Sequence, residues 1–124
     1  MNKEIKDKWV AALRSFEYRQ GSCVLNNRDK YFCCLGVLCE LAAQEAICER
    51  KTNQNGNICY DEEEAYPPQS VAKWAGFPLW QRLNGADSKI YSTNPSIEGY
   101  LLSQYNDQLN KSFNEIADLI EAHL

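Results

Sequence analysis

Cys33-Cys34-Leu35-Gly36-Val37-Leu38-Cys39-Glu40-Leu41-Ala42-Ala43-Gln44-Glu45-Ala46-Ile47-Cys48-Glu49 is the stretch on which the fold turns. Leu35, Leu38, Cys39, Ala42, Ala46 and Ile47 recur at helical spacing and form a broad apolar stripe. The pattern predicts a helix over residues 33–49, buried at the centre of the molecule. Gly36 lies inside it, where a glycine costs about 1 kcal/mol relative to alanine. A glycine kept at such a position predicts that another stretch of backbone passes close by.

On the N-terminal side, residues 3–15 read as an amphipathic helix with Ile5, Trp9, Val10, Ala12 and Leu13 on one face. Cys23-Val24-Leu25 and Lys30-Tyr31-Phe32 are short β-prone runs around Asn26-Asn27-Arg28-Asp29, which predicts a hairpin. On the C-terminal side a second hairpin is expected over residues 50–60, with Asn55-Gly56 at its tip. Pro68 opens a short helix through Trp74, and Gly76 stops it. Residues 77–100 read as irregular, with Lys89-Ile90-Tyr91-Ser92 as a strand. Ser112-Phe113-Asn114-Glu115 is a capping box that opens a terminal helix. This order predicts one α+β domain over residues 1–124, its small antiparallel sheet packed against the central and terminal helices.

The chain has 124 residues, 44% of them hydrophobic and 24% charged, the balance of a soluble globular protein. No stretch reaches the roughly 20 apolar residues of a membrane span, and the charged N-terminus predicts no secretory signal. Thirteen basic residues stand against 17 acidic ones, a net charge of -4. The excess is carried by residues 51–124, which would repel duplex nucleic acid. A small anion held by one or two arginines needs only a local pocket and is compatible with that balance.

Six cysteines, at positions 23, 33, 34, 39, 48 and 59, have no Cys-x-x-Cys pair among them. They are expected to be reduced, mostly buried thiols, with no metal and no cofactor. Cys48 and Cys59 flank the second hairpin and are the one pair whose separation could permit a bond. Cys33 or Cys34, where a strand enters a helix, could instead be a nucleophile, because a helix N-terminus lowers a thiol's pKa. A base would then have to come from His123, the only histidine. Asp61-Glu62-Glu63-Glu64 lacks the alternating acidic positions of a cation loop and reads as a solvated run.

Arg14, Tyr18 and Arg19 lie together just past the first helix. An aromatic ring with two guanidiniums can stack a base and clamp a phosphate. With Trp80, and with Asn106 and Asp107, they make up the expected ligand pocket. The plainer reading of Asn106 and Asp107 is that they shape the turn before the last helix. Trp80, Tyr91 and Tyr100 fit no core periodicity, and they point to a homodimer formed through residues 77–105.

Four segments stand out together: Lys8-Trp9-Val10-Ala11-Ala12-Leu13-Arg14-Ser15, Cys33-Cys34-Leu35-Gly36-Val37-Leu38-Cys39, Pro67-Pro68-Gln69-Ser70-Val71-Ala72-Lys73-Trp74-Ala75-Gly76, and Asn106-Asp107 followed by Ser112-Phe113-Asn114-Glu115-Ile116-Ala117-Asp118-Leu119-Ile120-Glu121. Jointly they resemble a family of short proteins from tailed phages and prophages. The sequence departs from the family pattern at Phe16, where a glycine commonly follows Arg-Ser, and in a longer polar segment at 84–99. The resemblance implies a phage origin and a cytoplasmic site of action, and it assigns no site residues. The expected function is therefore that of a non-enzymatic phage accessory protein. It would act in the host cytoplasm, binding a host factor or a small, nucleotide-like anion, with counter-defence as its role. Two alternatives stand beside it: a small thiol-dependent enzyme using Cys33 or Cys34, and a virion or assembly component.

Overall fold

The computed structural model describes residues 1–77 and 93–124 in full. Of residues 78–92 it describes only the backbone of two strands, Trp80–Arg82 and Lys89–Ser92. The expectations for the side chains of Trp80 and Tyr91 lie outside the described residues.

Asn2 starts the first helix, its side chain accepting the Ile5 N–H at 3.2 Å, and α1 runs Lys3–Arg14. The 3.6-residue period buries Ile5, Trp9, Val10 and Leu13 together. The central helix α2 spans Cys34–Gln44 and is capped by Cys33, whose sulfur accepts the Gly36 N–H at 3.4 Å. It is shorter than the expected 33–49. Ala46 turns left-handed at φ +58°, and the N–H groups of Ile47 and Ala46 close back on the carbonyls of Ala42 and Ala43. This is a Schellman stop built without glycine, so composition did not signal it. The close approach expected at Gly36 is present: a Cβ there would lie 1.7 Å from the Leu25 carbonyl oxygen.

Two minimal strands, β1 (Arg19–Gln20) and β2 (Tyr31–Phe32), pair in parallel. The expected antiparallel hairpin of 23–25 with 30–32 is corrected to a single antiparallel bridge between Asn26 and Phe32. Cys23 turns out at φ +72°, and the Asn27 side chain gathers the N–H groups of Asp29 and Tyr31 into a tight turn. That turn delivers Tyr31–Phe32 to β1 instead. Gly21 lets the two segments meet, since a Cβ on it would sit 2.7 Å from that of Tyr31.

The second hairpin forms as expected from β3 (Arg50–Thr52) and β4 (Ile58–Tyr60), with Gly56 at φ +82° in the loop. Asn26 also bridges Ile58, so its backbone stitches the two strand pairs together. Helix α3 (Gln69–Ala75) follows Pro68 and ends at left-handed Gly76. Strand β5 (Trp80–Arg82) pairs with β6 (Lys89–Ser92), and β7 (Ser96–Ile97) with β8 (Tyr100–Leu101), both antiparallel. The short helix α4 (Leu102–Asp107) had no sequence signal, and α5 (Phe113–His123) opens on the expected capping box.

The fold is α+β. α1 packs on α5, while α2 touches α1, α3 and α4. The core holds Trp9, Leu35, Leu38, Tyr60, Ile116 and Ile120, each without accessible surface. Trp9 is buried because its indole N–H is satisfied by the Cys34 carbonyl at 2.9 Å. Among the described residues no helix is long and apolar enough to cross a membrane.

Candidate functional site

The parallel pairing of β1 with β2 brings two remote segments, residues 17–19 and 29–32, to opposite sides of one surface groove. It has a volume of ≈ 350 Å³ and is lined by Glu17, Tyr18, Arg19, Asp29, Lys30 and Phe32. Tyr18 meets the buried ring of Phe32 edge-on, with centroids 5.1 Å apart. The Arg19 guanidinium lies 5.9 Å above the Tyr31 ring. No carboxylate lies within 4 Å of Arg19 or Lys30 among the described residues. Arg14 and Arg50, by contrast, are both engaged by acids.

The expected ligand residues are thus divided. Tyr18 and Arg19 share the groove. Arg14 does not line it and is turned onto α5, where Asp118 and Glu121 bind its guanidinium, the latter at 2.9 Å. Those hydrogen bonds, Asp118's first, raise its pKa further above its ordinary value. The groove's other walls, Glu17, Asp29, Lys30 and Phe32, had no signal of their own, because only the non-local strand pairing brings them to Tyr18 and Arg19.

Asn106 is a buried clamp. Its side-chain oxygen accepts from the Gln20 amide at 2.9 Å and from the Cys34 N–H at 3.3 Å. Its amide donates to the Gly21 carbonyl at 2.8 Å and to Asp107 at 2.7 Å. Gln20 completes the clamp by donating to the Lys111 carbonyl and accepting the Phe113 N–H. Most of these partners are distant in sequence, so the local turn role read from Asn-Asp is corrected to a tie between α4, the start of α2 and the β1 loop. A shallow polar depression of ≈ 300 Å³ borders this clamp beside Ser22, Asn110 and Lys111. Asp107 is partly exposed at the edge of the clamp.

The two thiols at the head of α2 are sealed. Cys33 is spent on the helix cap, and burial pushes its pKa up to about 11 against the lowering effect of the backbone N–H groups around it. Cys34 is fully buried, directs its thiol at the Leu102 carbonyl at 3.6 Å, and is pushed well above the ordinary thiol value by the same burial. His123 faces Glu98 at 3.7 Å. Of the acidic run, Asp61 accepts the Glu49 N–H and the Ser70 hydroxyl. Among the described residues no three His, Cys, Asp or Glu side chains come together as metal ligands.

A further polar chain was not visible in sequence. The Asn26 amide donates to the Tyr60 hydroxyl at 3.2 Å, which donates to Glu40 at 2.8 Å, and Glu40 is held by Arg50. It closes the second hairpin onto α2.

A family model described as "Domain of unknown function (DUF8296)" matches residues 1–124. No curated protein and no solved structure matches the chain.

Proposed function

We propose, for a chain that belongs to the DUF8296 family over its whole length, a binding role rather than a catalytic one. The protein is a phage or prophage accessory factor that acts in the host cytoplasm by occupying a host component or a small anionic ligand, in the service of counter-defence. The observation that supports this reading is Arg19, which lines the groove and whose guanidinium, 5.9 Å from the centre of the Tyr31 ring, has no acidic partner within 4 Å among the described residues. A guanidinium near an aromatic ring and with no carboxylate within reach is available to an oxygen anion on something else. The sealed state of Cys33 and Cys34 favours binding over thiol chemistry, since a nucleophilic cysteine works as an exposed thiolate.

The test is native recovery of the tagged protein from a bacterial host, beside Arg19→Ala and Tyr18→Ala variants. Mass spectrometry would read both associated proteins and small molecules released by heat. A component retained by the wild type and depleted in both variants is the expected result. Identical associated components in all three preparations would overturn the reading.

A further inference from the structure

The groove's chemistry narrows the ligand class, an inference that rests on the binding role just proposed. We infer that the groove between β1 and β2 is a mononucleotide site, selective for a base that carries an exocyclic amine. Its parts are arranged for three different tasks.

Arg19 and Lys30 supply the cations. The Arg19 guanidinium lies 5.9 Å from the centre of the Tyr31 ring, with no carboxylate within 4 Å among the described residues. Lys30 is fixed at a left-handed corner, φ +63°, where its N–H bonds to the Asn27 carbonyl. The fork of the one and the point charge of the other together suit a terminal phosphate. Tyr18, half-buried and braced edge-on by Phe32, supplies an aromatic wall whose position is set before any ligand arrives. A base stacking on it loses little side-chain freedom from the protein.

Glu17 and Asp29 decide the selectivity. Neither carboxylate has a cation within 4 Å among the described residues, yet both line the same groove as Arg19 and Lys30. A bare anion gains from the two cations and loses to the two acids, so simple phosphate has little net attraction. A carboxylate is an acceptor only, and it is satisfied by N–H donors. The ligand that satisfies all four charges carries phosphate at one end and amine N–H groups at the other, bridged by a planar ring. At ≈ 350 Å³ the groove falls in the size range of small-molecule sites.

The experiment is a thermal-shift series with calorimetry on the full chain, using adenosine 5′-monophosphate, uridine 5′-monophosphate, adenosine and inorganic phosphate as separate probes. Adenosine monophosphate is expected to raise the melting temperature, with the other three giving little shift. Arg19→Ala and Lys30→Ala should melt like the wild type without ligand and bind the nucleotide about tenfold or more weakly. Glu17→Gln together with Asp29→Asn should bring the response to the uridine nucleotide and to phosphate up toward that of the adenosine nucleotide. No shift with adenosine monophosphate, or a shift unchanged in Arg19→Ala, would overturn the site. Equal shifts with both nucleotides in the wild type would overturn the amine selectivity. If the site fails here while native recovery still finds an Arg19-dependent protein, the binding role stands without the nucleotide. If both fail, both fall.

Discussion

Phe16 follows Ser15, the C-cap of α1, at φ +62°, with 88% of its surface exposed. A left-handed conformation costs an L-residue about 1–2 kcal/mol, and glycine takes it freely. Glycine also loosens the unfolded chain, by about 0.5–1 kcal/mol. Phe16→Gly is therefore expected to stabilise by a net of about 0.5–1 kcal/mol, and Ala46→Gly, at the end of α2, by a similar amount. Urea unfolding midpoints check both, and a lower midpoint in either variant would contradict the strain argument. Gly36 is the opposite case. Its added Cβ would meet the Leu25 carbonyl oxygen, a backbone atom that cannot swing aside. Gly36→Ala should cost about 3 kcal/mol or more, near the top of the overpacking range, and circular dichroism of the purified variant would read the loss of structure.

At the scale of elements, α5 depends on its first turn. The Ser112 hydroxyl accepts the Glu115 N–H at 3.2 Å, and the Glu115 carboxylate accepts the Ser112 N–H at 3.3 Å. Ser112→Ala should cost about 1 kcal/mol. The Ser112 backbone bond holds the Glu115 pKa below its usual value. A carboxylate depressed in the fold stabilises at every pH above the unfolded value, about 4.3, and that support is lost as the pH falls through the lower folded value. Glu115→Gln should therefore flatten part of the acid limb of the stability curve and keep the cap, because glutamine can also close the box. Chemical denaturation between pH 2 and pH 7 tests this, and an acid limb identical to the wild type's would refute it.

For the whole molecule, the thiols set the response to alkali. Five of the six cysteines are buried and Cys23 is exposed. Burial pushes Cys33 and Cys48 up to about 11, and Cys34 and Cys39 well above the ordinary value. Above about pH 8.5 the unfolded chain releases protons that the folded one retains. Stability is thus full below that pH and falls as the pH rises toward 11, by up to about 1.4 kcal/mol per unit for each of Cys33, Cys34 and Cys39, and by less for Cys48, whose thiolate water screens in part. Urea midpoints in reductant from pH 7 to pH 10 should decline from about pH 8.5, and a flat profile would show that the thiols are open to water. The pairing register also bears on the one pair whose separation could permit a bond, which the reduced-thiol reading expects to stay open. Cys59 stands opposite Lys51, three residues along from Cys48, and both thiols are free. Alkylation of the folded protein should mark Cys23 first, and unfolding without reductant should expose six thiols to the reagent.

Local chemistry alone determined much of this molecule. The 3.6-residue period of Ile5, Trp9 and Leu13 made α1, the Ser112–Glu115 box opened α5, Gly76 stopped α3, and Asn55-Gly56 turned the second hairpin. Each of these is a signal complete within about one or two turns of chain, and Gly36 added a correct report of a distant neighbour because only contact explains it. The candidate site was half legible: Tyr18 and Arg19 were visible as an aromatic beside a cation. Their partners Asp29, Lys30 and Phe32 were not, since a two-residue parallel pairing carries no periodicity to read. Tertiary structure alone decided that Arg14 faces α5, that Asn106 ties three segments together, and that Cys33 is a cap. Those outcomes depend on which groups meet across long loops, and on burial outweighing the helix terminus at the thiol, which no local pattern encodes.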